Sequence, residues 1–273
     1  MIGFVYRDKN SYSDYSVLAK SVSRPILPAL RKRELTIPGR HGIYDFGDNT
    51  YENRIMSVLI QYVGTSLNDL RLAARNIAAW LSSNVYAQLT FEDEPDKYYL
   101  AKIYNALTLE TLFTFGKATV QFECQPFALY QESSGEDLTW DTALPWGSEY
   151  TWDNVAKHAI AVTEDTTFGI DYFASQEVGL GAPTGSKFDI AIYGSFTNIT
   201  IALNGKSLTY TGPVSNQAVT INNVDATVKI GNTNELSKCT GDFLSLQPGV
   251  NTATITGTGL DCSVLFDFIP QYI

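Results

Sequence analysis

The amino-acid sequence predicts a mainly β protein with one helix: an N-terminal α+β domain, whose antiparallel sheet carries a helix over about 66–82, followed by a β-sandwich. Three observations predict it. Runs of alternating apolar and polar residues recur along most of the chain, the mark of half-buried strands. Only residues 66–81 space their apolar positions at three and four, as a helix face does. Residues 131–156 interrupt the pattern with acids, Gly135, Pro145 and Gly147, and read as a linker. The expected domains are therefore 1–130, the linker 131–156, and 157–273.

At 273 residues the chain can supply two domains of roughly 130 residues, each with its own core. Sixteen tyrosines and 14 phenylalanines favour strands. The first residues carry no basic segment followed by an apolar run, and no stretch is apolar for long enough to span a bilayer. A soluble cytoplasmic product is expected.

In chain order, residues 3–6 read as a short strand, while 15–23 fit either helix or strand. Pro25 and Pro28 exclude a helix interior between them, because each restricts the residue before it. The stretch 31–63 has the most distinctive chemistry. Arg31, Lys32 and Arg33 lead into Pro38, Gly39, Arg40, His41 and Gly42, and then into a return strand. Pro38 presets its own φ, and Gly39, Gly42 and Gly47 tolerate positive φ, so a projecting, turn-rich loop is expected between two strands. The basic triplet reads either as a docking patch for an acidic partner or as a charged edge that resists sheet-to-sheet pairing. On the return strand, Met56, Val58, Ile60 and Tyr62 share one face and Ile55, Leu59 and Val63 the other, which predicts a strand covered on both sides.

The helix gathers Leu67, Leu70, Ala74, Ile77, Ala78 and Leu81 on one stripe, with Ser66 and Asp69 as capping residues and 82–84 as the stop. Arg71 and Arg75 lie off the stripe, and Trp80 beside it finishes a core. Strands follow at 87–91, 98–104 and 117–125, with Gly116 marking a hairpin. Asp93, Glu94 and Asp96 read as a solvated hairpin end; they lack the spaced oxygen ligands and turn glycine of a calcium loop. Beyond the linker, strand-like runs fall at 159–163, 188–193, 198–203, 207–210, 218–221, 226–230, 243–246, 252–256 and 262–268, with Asn204 and Gly205 as a two-residue hairpin turn.

Charge divides the chain. Bases and acids nearly balance through residue 130, residues 131–155 carry acids alone, and acids outnumber bases thereafter, giving −10 overall. Such a balance argues against sequence-independent nucleic-acid binding. Cys124, Cys239 and Cys262 are too few and scattered for a disulfide framework and read as buried thiols; a Cys239 to Cys262 disulfide is the sharper alternative. Catalysis has little to work with. Only His41 and His158 are present, with no HExxH, GxSxG or P-loop spacing, so no catalytic residue, metal or cofactor is expected. A glycosidase pair such as Asp141 and Asp153 depends on a separation that sequence does not give. Trp140, Trp146 and Trp152 lie in the linker within a repeated Thr-Trp-Asp, and either pin it to a neighbouring core or form a sugar-stacking face.

The basic segment, residues 38–42, the aromatic-glycine turn of Tyr44, Phe46 and Gly47, the helix-then-strands order and residues 243–251 together resemble the distal tail protein (Dit) family of long-tailed phages of Gram-positive bacteria. The resemblance implies a galectin-like sandwich and a non-enzymatic hub: a hexameric ring at the virion tail tip, assembled in the host cytoplasm. Its implied partners are further copies of itself, the tail tube protein, the tail-tip protein and receptor-binding proteins, with DNA passing through unread. Arg31, Arg33, Pro38, Gly39, Arg40, His41 and Gly42 are then the expected subunit contacts. The alternative is a lectin-like adhesion module that binds host cell-wall carbohydrate through Trp140, Trp146 and Trp152.

Overall fold

The computed structural model describes residues 3–47, 50–62, 67–105, 117–131 and 158–273, with only the backbone for 67–71. The chain divides into two compact units, Met1–Ala128 with Ile273, and Leu129–Tyr272. The predicted tryptophans of the linker, the carboxylates Asp141 and Asp153, Ser66 and Gly116 lie outside the described residues.

The first unit runs β1 (Phe4–Tyr6), β2 (Lys9–Asn10), β3 (Val17–Ser23), the short strands β4 (Leu30–Arg31), β5 (Glu34–Leu35), β6 (Tyr44–Asp45) and β7 (Thr50–Tyr51), then β8 (Arg54–Tyr62), α1 (Leu67–Leu81), β9 (Ala87–Phe91), β10 (Glu94–Ile103) and β11 (Lys117–Cys124). Its main sheet is ordered β2-β1-β9-β10-β11-β8-β3. The ambiguous segment 15–23 is thus an edge strand. Period-two patterning sets the register: β8 pairs with β11 from Arg54 opposite Cys124 to Gln61 opposite Lys117. That register aligns Met56, Val58 and Ile60 with Phe122, Val120 and Ala118, all buried. The second face of β8 is only partly buried, contrary to the expectation of a strand covered on both sides. Ser57 and Gln61 share that face with Ile55 and Leu59, so its apolar surface is discontinuous.

Helix α1 buries Ala74, Ile77, Trp80 and Leu81, whereas Ala78 is exposed. The stripe is therefore shifted toward Trp80. Its ring stacks on Phe4 at 5.4 Å and Tyr15 at 4.3 Å, and its indole N–H donates to the Tyr6 carbonyl at 2.8 Å. Arg7 Nη1 donates to the Trp80 and Ser82 carbonyls at 3.1 and 2.9 Å, satisfying acceptors that a helix end leaves open. The acidic turn also differs from expectation. Arg24 bonds Asp93 at 2.8 Å and Glu94 at 2.6 Å and lies over the Phe91 ring, while Lys97 pairs with Asp96 at 3.1 Å. These carboxylates anchor a neighbouring segment, and β10 already begins at Glu94.

The second unit takes in β12 (Ala128–Tyr130) from Leu129 onward, then β13 (His158–Val162), β14 (Thr166–Tyr172), β15 (Phe188–Leu203), β16 (Lys206–Asn222), β17 (Thr227–Ile230), β18 (Thr233–Asn234), a 3-10 turn at Leu236–Lys238, β19 (Cys239–Gly241), β20 (Gly249–Thr258), β21 (Asp261–Phe268) and β22 (Gln271–Tyr272). Four of the predicted short runs are halves of two long strands: 188–193 and 198–203 form β15, and 207–210 and 218–221 form β16. The register between them shifts around Gly194, Phe196 and Asn198. Before the shift β15 pairs with β21; after it, with β20. Two leaves result, β13-β21-β15-β16-β17-β18 and β14-β20-β15-β16-β19, joined where the two long strands bend. Ile190, Ile192, Ile199, Ile201, Val264 and Phe266 are among the residues that fill the space between the leaves. Asn204 (φ 50°) and Gly205 (φ 82°) make the expected hairpin turn.

Residues 243–246 are not the predicted strand. Leu244 and Leu246 are buried, but only Leu246 forms a bridge, with Val178. Buried Asn251 holds the turn that follows, accepting from Asn204 Nδ2 at 2.6 Å and Gln247 N at 2.9 Å, and donating to the Gln247 and Gly249 carbonyls at 2.9 Å. The three cysteines are free thiols. Burial pushes the Cys124 thiol up to about 12.

The bend requires Gly194. Its φ is 141°, and a Cβ there would meet the Asp261 carbonyl and Cys262 Cα, the latter at 2.6 Å. A Cβ at Gly205 meets nothing within 4 Å. Denaturant unfolding of the full chain is expected to show Gly194→Ala costing about 2–4 kcal/mol, against roughly 1 kcal/mol for Gly205→Ala.

Candidate subunit interface

All seven residues predicted as subunit contacts fall on one arm between Pro28 and Arg54. Pro28 and Arg54 are buried, and residues 29–47 between them are exposed without exception. Two ribbons form it. β4 pairs with β7 near the root, Leu30 opposite Tyr51, and β5 pairs with β6 further out, Glu34 opposite Asp45. Backbone bonds from Glu52 N to the Ala29 carbonyl at 2.8 Å and from Phe46 N to the Arg33 carbonyl at 3.0 Å extend both ladders.

Local chemistry explains the shape. Arg40 N donates to the Ile37 carbonyl at 3.1 Å, closing a turn with Pro38 at its second position and Gly39 (φ 84°) at its third. That is the residue order of a type II turn. Asp45 Oδ1 accepts from Gly47 N at 2.9 Å, a local turn of the kind aspartate favours. The Arg40 guanidinium lies 5.2 Å from the Tyr44 ring centroid, and Tyr44 meets Phe46 edge-on at 5.0 Å. Lys32 pairs with Glu34 at 3.5 Å. Arg31 and His41 are exposed.

The sequence reading emphasised cations and turn residues and missed the arm's apolar content. Leu35, Ile37, Ile43, Tyr44 and Phe46 are exposed, Ile43 by 58% and Phe46 by 56%. Ile26 and Leu27, just before the root, are exposed by 83% and 61%. Leu35 and Ile37 two apart were the available signal, hidden among glycine, proline and charges. Large apolar side chains concentrated on one segment form the kind of exposed patch that marks a candidate contact surface.

Arg54 fixes the root, and the sequence reading missed it as well. Its side chain is buried; Nε donates to the Pro126 carbonyl at 2.6 Å, and Nη1 to the Pro25 and Ile26 carbonyls at 3.2 and 3.0 Å. The guanidinium also faces the Tyr99 ring at 5.6 Å. Burial lowers its pKa, with partial compensation from Tyr99, Cys124 and Glu94. Tyr51 packs edge-on against Phe127 at 5.5 Å, and Asn53 donates to Tyr86 Oη at 3.0 Å and Glu123 at 2.7 Å. The arm is exposed along its length and rigidly held where it leaves the sheet.

His41 stands on the exposed arm. His158 packs 5.6 Å from the Phe268 ring, and burial lowers its pKa. Among the described residues no three or more His, Cys, Asp or Glu side chains are grouped to hold a metal ion. No helix among them is long and apolar enough to cross a membrane.

Comparison with known proteins gives two kinds of match. The phage tail protein RIFT-related domain family matches residues 12–124. Among solved structures, the Dit protein (gp 19.1) of phage SPP1, described as a paradigm of the hub adsorption apparatus in phages infecting Gram-positive bacteria, aligns over 100% of both chains with a TM-score of 0.66 and 16% identity. The phage P2 baseplate in its calcium-activated conformation aligns over 99% of this chain and 98% of its own, with a TM-score of 0.47 and 10% identity. Comparison with curated proteins gives no match.

If Arg54 sets the arm's root, Arg54→Met leaves the buried Pro126 carbonyl and the part-buried carbonyls of Pro25 and Ile26 without their donor. Stability is expected to fall by about 3 kcal/mol, and amide exchange to rise at 25–31 and 50–54 ahead of the rest of the sheet. Uniform loss across the first unit, with no early opening at the root, would contradict the assignment.

Proposed function

We propose, from a chain whose residues 12–124 match the phage tail RIFT-related domain and whose fold is similar to that of the phage SPP1 Dit protein, that this protein is a non-enzymatic hub of a long-tailed phage's tail tip. Six copies form a ring through the first unit and link the tail tube protein to the tail-tip protein. The second unit is the peripheral domain that receives receptor-binding proteins. DNA passes through the ring without being read, and assembly takes place in the host cytoplasm.

The observation that carries this reading is the arm. An exposed segment with Leu35, Ile37, Ile43 and Phe46 on its surface, fixed at its base by buried Arg54, is suited to lie on a neighbouring subunit. The apolar residues supply the area to be buried. Arg31, Arg33 and Arg40 supply charge that pairs with acids on that neighbour and sets the register of the seam. Pro38, Gly39 and Gly42 fix the turn that presents Arg40 and His41.

Light scattering of the purified chain at low and high salt is expected to give a ring mass, with Arg33→Glu/Arg40→Glu shifting it toward monomer most strongly at low salt. Ile43→Ser/Phe46→Ser is expected to shift it at either salt. A ring indifferent to the arginine pair removes their role, and one indifferent to both pairs removes the arm from the interface.

A further inference from the structure

The start of β15 gathers three carboxylates around one lysine. Phe188 and Ile190 are buried in the core of the second unit, so Asp189 between them takes the outward side; buried Phe266 and Phe268 place Asp267 in the same way. The register seats Asp189 directly opposite Asp267 on β21 and opposite Asn222 on β16. Like charges directly opposite each other work against a ladder. Lys187, just before β15, pairs with Asp267 at 2.5 Å. Asp189 Oδ1 is enclosed and accepts no hydrogen bond.

The turn after β16 brings the third acid and cannot easily take it away. Asn222 Oδ1 accepts from Asp225 N at 2.6 Å. Buried Asn223 donates from its backbone N to the Phe188 carbonyl at 2.9 Å, and its Oδ1 accepts from Leu244 N at 2.9 Å. Ala226 follows with φ 53°, a conformation that a residue with a Cβ holds only where its surroundings impose it. Burial is the largest influence on the Asp189 pKa and raises it; Lys187 lowers it, and Asp267 and Asp225 raise it further. Those are the charged groups facing Asp189 from its own strand, from β21 and from the turn, while β16 presents the neutral Asn222. Among the described residues these acids are not grouped as metal ligands, so the proton is the ligand that offsets their repulsion.

We propose that the Asp189 carboxyl is a proton-operated clasp of the second unit, closing β21, β15 and the turn 222–226 on one another when it takes up a proton and loosening that end of the leaf when it ionises. The proton removes one of the opposed charges and supplies a donor beside the Asp267 carboxylate. The sign follows from linkage. Asp189 holds its proton more tightly in the folded chain than in the unfolded one, so its contribution to stability is complete below the ordinary aspartate value of about 4 and is lost as pH rises through the folded value. Most paired carboxylates act the other way and stabilise as pH rises. The clasp lies within the second unit and is independent of how the first unit assembles.

The test is hydrogen exchange of the full chain near pH 4.5 and near pH 7.5, corrected for the intrinsic rate. Relative to amides of 199–203, those of 188–190, 222–226 and 266–268 are expected to be about fivefold more protected at the lower pH. Asp189→Asn keeps the shape of the protonated carboxyl at every pH and is expected to show the added protection at both. In denaturant, its folding equilibrium constant is expected to exceed that of the unaltered chain about fivefold near pH 7.5, the two converging as pH falls to about 4. Asp225→Asn is expected to act in the same direction by a smaller factor. Equal relative protection at both pH values in the unaltered chain overturns the proposal. So does an undiminished pH response in Asp189→Asn, or an Asp189→Asn chain no more stable than the unaltered one near pH 7.5.

Discussion

Arg54 is the constraint from which the first unit's exposed surface follows. A guanidinium placed at the first position of a core strand costs desolvation, and here its donors reach the carbonyls of Pro25, Ile26 and Pro126. Those carbonyls belong to the approach to the arm and to the chain just beyond β11. The Pro126 carbonyl lies in the interior, away from water, and Arg54 Nε supplies its donor. One buried cation thus ties three separate segments and leaves 29–47 no freedom at the base, although nothing in the described chain covers it further out.

The arm therefore combines a fixed origin with an apolar, cationic surface. The lost side-chain and backbone entropy is already accounted for at the root, which lowers the cost of docking the remainder. The second unit solves a different problem. It builds two leaves from two long strands that bend at Gly194, and the bend lets one hairpin contribute to both leaves. Outward chemistry can then differ between leaves while the core stays continuous.

Much of this was legible in the sequence where the signal is local. The alternation of Ala118, Val120, Phe122 and Cys124 gave the inward face of β11, Asn204 with Gly205 gave the hairpin, and Pro38 with Gly39 gave the turn of the arm. Long-range partners were not legible. Arg54 looks like a solvent-facing residue until Pro126 is known to lie beside it, and Asp93 with Glu94 looks like a solvated turn until Arg24 is placed across it. Gly194 falls between the predicted runs 188–193 and 198–203, because a strand bending at a glycine and a strand ending there have the same local pattern. Residues 243–246 have strand composition, but the hydrogen bonds of Asn251 and Asn223 hold them as a loop.

The central claim is that the arm is covered by another copy of the chain. Hydrogen exchange of the protein, compared between its assembled and dissociated forms, tests this most directly. The account predicts that amides of 30–47 exchange freely in the monomer and become protected on assembly, with Arg54 and the sheet unchanged. Exchange across 30–47 that is equally fast in both forms would contradict it.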